Sequence, residues 1–250
     1  MSQRETKAQR AIDTSVLEAA IGHTFAHRDL LQMALTHRSY VYETPGVPNI
    51  TNERLEFLGD AILAYVTADY LYTTYPQLSE GDLTDVRAAL VKAVTLAQFA
   101  NAIDLGTHLR LGRGEERTGG RTRVPLLAAG FEALIGAMKL DGGLVVAETC
   151  ILAHIVPEAE RFVATRRYKD DKSVFQEIVQ GQMGLTPIYV VVAEDGPSHQ
   201  RTYRVEVHVG EHVAGNGEGT SKQRAEQAAA HDALSHDGWR TELSKASSPS

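Results

Sequence analysis

The chain has 250 residues, 43% of them hydrophobic and 23% charged, with a formal net charge of −7 and an isoelectric point near 5.8. At roughly 100–200 residues per domain, this is one large domain or two modest ones of ordinary globular composition. The acidic balance argues against a broad phosphate-binding surface, but it allows a local basic patch or carboxylates that hold divalent cations.

The start, Met1-Ser2-Gln3-Arg4-Glu5-Thr6-Lys7, is polar and has no signal-peptide core. From there to residue 165 the apolar residues recur at helical spacing, predicting helices over 16–20, 28–35, 54–72, 81–103, 125–138 and 143–165. Turn chemistry separates them at 44–49, at Tyr75-Pro76 and in the glycine-rich 112–120. No alternating run suggests a strand before about residue 185, so residues 1–165 read as an all-α domain. Its longest apolar stretch, 124–138, falls short of the roughly 20 residues of a membrane span. The single cysteine, Cys150, excludes an internal disulfide framework and fits the reducing cytoplasm.

The charged segment 166–172 reads as a linker. Beyond it, a short helix over 173–182 precedes β-branched runs at 188–194 and 202–209 and a third strand near 212–218. An alanine-rich helix over 225–234 closes a small α+β domain, a helix, a three-stranded antiparallel sheet and a helix, spanning 173–238. Residues 239–250 read as a disordered tail.

The stretch Asn52-Glu53-Arg54-Leu55-Glu56-Phe57-Leu58-Gly59-Asp60 carries the most information. At about 100° per residue, Glu53, Glu56 and Asp60 fall within an arc of roughly 60°, while Leu55, Leu58 and Ile62 form the core stripe opposite. Like charges on adjacent turns repel unless a cation sits among them; a solvated acidic face is the other reading. Glu132 is the only charged residue in 124–138, and a carboxylate in so apolar a helix must be paired, protonated or metal-bound. The alternatives are an ion pair with Arg54 or Arg87, or an oxygen-rich site with Glu56 and Asp60 suited to magnesium or manganese. Phe57 lies beside the carboxylates, so either a partner subunit or another helix of the same chain must cover it. In the second half, Gly219-Thr220-Ser221-Lys222-Gln223-Arg224 opens a helix with Thr220 or Ser221 as cap. Lys222 and Arg224 oppose the helix dipole there, which suggests phosphate or else ordinary surface charge.

Residues 52–60 resemble the signature of the ribonuclease III family. Ala34-Leu35-Thr36-His37-Arg38-Ser39, Glu80-Gly81-Asp82-Leu83 and Phe131-Glu132-Ala133-Leu134-Ile135-Gly136-Ala137 extend the likeness. The resemblance implies an all-helical endonuclease domain, dimerising across the signature helix with Phe57 at the interface. It implies that Glu56, Asp60 and Glu132 are catalytic and bind divalent metal, magnesium or manganese, that Glu53 supports the site from a second layer, and that Glu80 lines the substrate groove. Phe175-Gln176-Glu177, Gly196-Pro197-Ser198-His199 and Ser221-Lys222 with Ala225-Glu226-Gln227-Ala228-Ala229-Ala230 resemble the double-stranded-RNA-binding domain, which reads the shape of an A-form duplex. By that likeness Gln176, Glu177 and His199 reach 2′-hydroxyls or base edges, while Ser221, Lys222 and Arg224 meet phosphate.

Two departures stand out. Ala129 occupies the position, one turn before Glu132, where the family usually has a metal-binding aspartate, and Gln223 replaces a usual lysine or arginine. The glycine-rich segment 111–123, with Arg113, Arg117, Arg121 and Arg123, resembles a family loop beside the active site, though its composition is also that of a plain flexible surface loop. The implied function is hydrolysis of double-stranded RNA by a homodimer, leaving 5′-phosphate and 3′-hydroxyl ends. The alternative is a duplex-RNA-binding protein in which Ala129 has weakened or removed catalysis.

Overall fold

The computed structural model describes residues 14–165, 170–197, 200–236 and 239. The chain divides into two compact units, Met1–Thr165 and Arg166–Ser250. Among the described residues, no helix is long and apolar enough to cross a membrane.

The described residues of the first unit form helices joined by short connections: α1 (Ser15–Ile21), α2 (Arg28–Ala34), α3 (Arg38–Glu43), α4 (Glu53–Thr74), α5 (Glu80–Val91), α6 (Ala93–Ala102), α7 (Leu105–His108), α8 (Arg113–Arg117), α9 (Val124–Gly142) and α10 (Leu144–Thr165). A single 3-10 turn, Gly120–Thr122, precedes α9. Helix α9 runs through the middle, against α2, α4, α6 and α10. Phe131, Ala133, Leu134, Ile135, Ala137 and Met138 on it are wholly buried, as the apolar run requires. Its C-terminal end is tied to the α1–α2 connection by Asp141. That carboxylate accepts from the backbone N–H of Ala26 and His27 at 3.0 and 2.8 Å and pairs with His23 Nε2 and His27 Nδ1, each at 2.8 Å. Burial alone would raise its pKa, but these bonds hold it well below the usual carboxylate range.

The helix expected over 81–103 is two helices. Lys92 is extended, with ψ 149°, and ends α5. The hydroxyl of buried Thr95 donates to the carbonyl of Ala89 at 2.8 Å, satisfying an acceptor that the break exposes. The glycine-rich segment is likewise more ordered than its composition suggests. Glu43 accepts from the N–H of Arg113 and Gly114 at 2.7 and 3.2 Å, and Ser39 Oγ accepts from Gly112 N at 2.9 Å, so α3 caps the start of α8.

The second unit holds α11 (Asp171–Met183), β1 (Ile188–Asp195), β2 (Thr202–Val209), β3 (His212–Gly219) and α12 (Lys222–Ser235). The sheet is antiparallel in the order β1-β2-β3. Phe175 and Val179 of α11, Val205, Val207 and Val209 of β2 and Ala225, Ala229, Ala230 and Ala233 of α12 lie in its core. Gly215 and Gly217 let β3 touch α12, since a Cβ on Gly217 would lie 2.2 Å from the nitrogen of Ala229. Two boundaries differ from expectation. Asp170, in the expected linker, caps α11 by accepting from Ser173 N at 2.9 Å. Trp239, expected in the tail, is buried at 4% exposure. Its ring lies 5.2 Å from Phe175, and its Nε1–H donates to the carbonyl of Ala233 at 2.9 Å. An indole buries a large area once its one donor is satisfied, so the domain core extends to that residue.

Candidate active site

Helices α4 and α9 approach backbone to backbone. A Cβ on Gly59 would lie 1.7 Å from the carbonyl oxygen of Glu132, and one on Gly136 would lie 2.3 Å from that of Leu55. Only glycine at both positions permits this approach, and it sets Glu56 and Asp60 beside Glu132. The consequence is electrostatic. Glu132 is half-buried, and burial together with the charges of Asp60 and Glu56 pushes its pKa up to about 7. Burial and the neighbouring Glu53 and Asp60 raise Glu56 as well, with Arg38 pulling the other way. Glu132 makes no ion pair with Arg54 or Arg87 among the described residues, so the paired-carboxylate alternative falls.

Glu53 stands at the rim. It accepts from Thr51 Oγ1 at 2.9 Å and lies 3.6 Å from Arg38. Glu80 is exposed in the first turn of α5 and accepts from Thr84 Oγ1 at 3.3 Å. Ala129 is half-buried one turn before Glu132 and presents no ligand atom. Among the described residues, no three His, Cys, Asp or Glu side chains converge at metal-ligand spacing. The oxygen donors are nonetheless those a hard divalent cation takes, and such an ion would relieve the mutual repulsion recorded in the raised pKa values. The residues present therefore fit a divalent cation.

Sequence reasoning missed how the motif Thr36-His37-Arg38-Ser39 builds the site. Asn52 N donates to the carbonyl of Thr36 at 2.9 Å, and Arg110 N to that of Leu35 at 2.7 Å, while His37 N donates to the carbonyl of Arg110. One segment thus holds both the start of the carboxylate helix and the loop that follows α7. In that loop Arg121 is structural: its Nη1 donates to the carbonyls of Gly106, Thr107 and Leu109. Arg123 is taken by Glu115 and Thr118, while Arg113 and Arg117 are exposed, Arg117 Nε donating to the carbonyl of Arg113 at 3.3 Å. Phe57 is 81% exposed, so no described element of its own unit covers it.

In the second unit Gln176 and Glu177 are exposed on α11. Ser221 is the N-cap of α12, its Oγ accepting from Arg224 N at 3.2 Å, and Lys222 and Arg224 lie exposed on the first turn. His199 lies outside the described residues.

Residues 27–159 match the family described as Ribonuclease-III-like, and residues 172–236 match the double-stranded RNA binding motif. The Ribonuclease 3 of Geobacter sulfurreducens is 46% identical over 237 residues, covering 92% of this chain and 95% of its own. The chain belongs to the ribonuclease III family. The Ribonuclease 3 of Thermobifida fusca is also 46% identical, over 87% of this chain and 89% of its own. A nuclease domain of ribonuclease III from Campylobacter jejuni, described as flexible in the region involved in dimer formation, superposes with a TM-score of 0.54 at 37% identity. That likeness covers 58% of this chain and 98% of that one. The protein is an endoribonuclease acting on double-stranded RNA, in a family of divalent-metal-dependent nucleases. Nothing in these comparisons favours the alternative of a binder without catalysis.

Proposed function

We propose that Glu56, Asp60 and Glu132 hold the divalent cation, magnesium or manganese, and that Glu53 steadies it through water. The observation that carries this reading is the backbone approach of α4 and α9 at Gly59 and Gly136, which sets half-buried Glu132 beside the carboxylates of Glu56 and Asp60. When bound, the cation supplies Lewis acidity toward water and the scissile phosphate. Around it, α4 and α9 would fix the carboxylates through the Gly59 and Gly136 approach, and the cation's charge would offset the repulsion that raises Glu132 in its absence. Hydrolysis then leaves 5′-phosphate and 3′-hydroxyl ends, with no protein nucleophile involved.

The double-stranded RNA is held by the second unit, with Gln176, Glu177 and His199 toward the minor groove and Ser221, Lys222 and Arg224 toward phosphate. Glu80 lines the groove of the first unit. Two copies pair through exposed Phe57, which brings two sites to opposite strands. The setting is RNA processing in the cytoplasm, which suits a chain whose only cysteine is unpaired.

Glu56→Gln and Asp60→Asn should each abolish cleavage of a labelled RNA duplex in magnesium, while the dissociation constant for that duplex stays within about twofold. Cleavage rates near the parent's in either variant would remove that residue from the metal site.

A further inference from the structure

The cation proposed to grip phosphate is already occupied. Lys222 Nζ lies 3.4 Å from Glu194 Oε1, and Arg201 Nη1 lies 3.3 Å from Oε2 of the same carboxylate. The sheet register builds this arrangement. Glu194 of β1 faces Tyr203 of β2, and Tyr203 faces Gly219 of β3, three residues before Lys222. Cross-strand partners point to the same side of a sheet. The missing side chain at Gly219 allows contact with α12, because a Cβ there would lie 2.6 Å from the nitrogen of Ala225. Lys222 therefore sits with its ammonium 5.6 Å from the Tyr203 ring centroid and against Glu194.

We propose that Glu194 is an internal stand-in for an RNA phosphate, neutralising Lys222 and Arg201 in the free protein and giving them up when duplex RNA binds. The proposal rests on the reading that Lys222 meets phosphate. A carboxylate and a phosphate offer a lysine or an arginine the same charge-assisted bond, so the two compete for these cations. The side chains of Glu194, Arg201 and Lys222 are 39%, 42% and 58% exposed, and pairs so open to water add little to stability. Exchange is therefore easy and the fold does not depend on it. The displaced carboxylate stays next to the incoming phosphate, which weakens binding further. In a chain of net charge −7, with Gln223 between the two basic residues of the first turn, this lowers affinity for any duplex and favours release.

The test is equilibrium binding of the full chain to a short RNA duplex in chelator, which prevents cleavage, measured by fluorescence anisotropy across about 50–200 mM salt. Four proteins suffice: the parent, Glu194→Gln, the double variant Arg201→Ala with Lys222→Ala, and the triple variant. Glu194→Gln should bind about two- to fivefold more tightly, with a steeper dependence of log affinity on log salt by up to about one unit, because no displaced carboxylate then takes up a counterion on binding. That gain should vanish when Arg201 and Lys222 are both alanine. Affinity unchanged by Glu194→Gln, or an equal gain in the background lacking both cations, would overturn the proposal. If instead the double variant binds like the parent with the same salt slope, the phosphate reading of Lys222 is what fails.

Discussion

Replacing Glu132 by glutamine should stabilise the metal-free protein while destroying its activity. Raising a carboxyl from 4.5 to about 7 corresponds to about 3.4 kcal/mol of unfavourable ionisation. Screening at a half-exposed group reduces this to about 1–2 kcal/mol. The folded state keeps its proton on Glu132 up to about pH 7, whereas the unfolded chain releases it near 4.5. The unfolded state thus binds fewer protons in that window, so this residue's contribution to stability falls as pH rises from about 4.5 to about 7 and is level above. Glutamine carries no such dependence. In chelator at pH 8, Glu132→Gln should melt about 2–8 °C above the parent for a unit of this size, and the gap should close toward pH 5. Adding magnesium should narrow or reverse the gap, because the parent, with all three carboxylates, gains more from binding it. Thermal unfolding followed by circular dichroism reads all three conditions. A glutamine variant no more stable than the parent at pH 8 in chelator, or a gap independent of pH, would refute the electrostatic account of the site.

Other outcomes follow from the same geometry. Gly59→Ala forces a Cβ into the carbonyl of Glu132, so α4 and α9 must separate; urea unfolding should show a loss toward the upper end of about 1–3 kcal/mol, with cleavage lost as well. Ala129→Asp adds an oxygen ligand one turn from Glu132 and should lower the magnesium concentration for half-maximal cleavage, whereas equal midpoints and equal maximal rates would show that water already serves there. Phe57→Ala removes an 81% exposed ring and should raise the monomer fraction in sedimentation equilibrium; an unchanged fraction would place the pairing surface elsewhere.

Periodicity along the chain was enough to place Glu53, Glu56 and Asp60 on one face, because a helix repeats at a fixed angle whatever surrounds it. The isolation of Glu132 in an apolar run marked it for the same reason: burial acts on each residue of a helix in turn. The first two strands of the second unit were legible in their β-branched runs, and residue type narrowed the cap of the last helix to Thr220 or Ser221, of which Ser221 is the one bonded. What periodicity does not carry is how closely two elements approach. The union of Glu132 with Asp60 depends on Gly59 and Gly136 meeting backbone to backbone, and a glycine within a helix looks the same in sequence whether it faces solvent or a neighbouring carbonyl. The break at Lys92, the capture of Arg121 by three carbonyls and the burial of Trp239 share that character, each decided by a partner distant in sequence or by the packing of a neighbouring turn. The pairing of Lys222 with Glu194 spans 28 positions and follows from strand register, which three-dimensional assembly sets and local sequence does not.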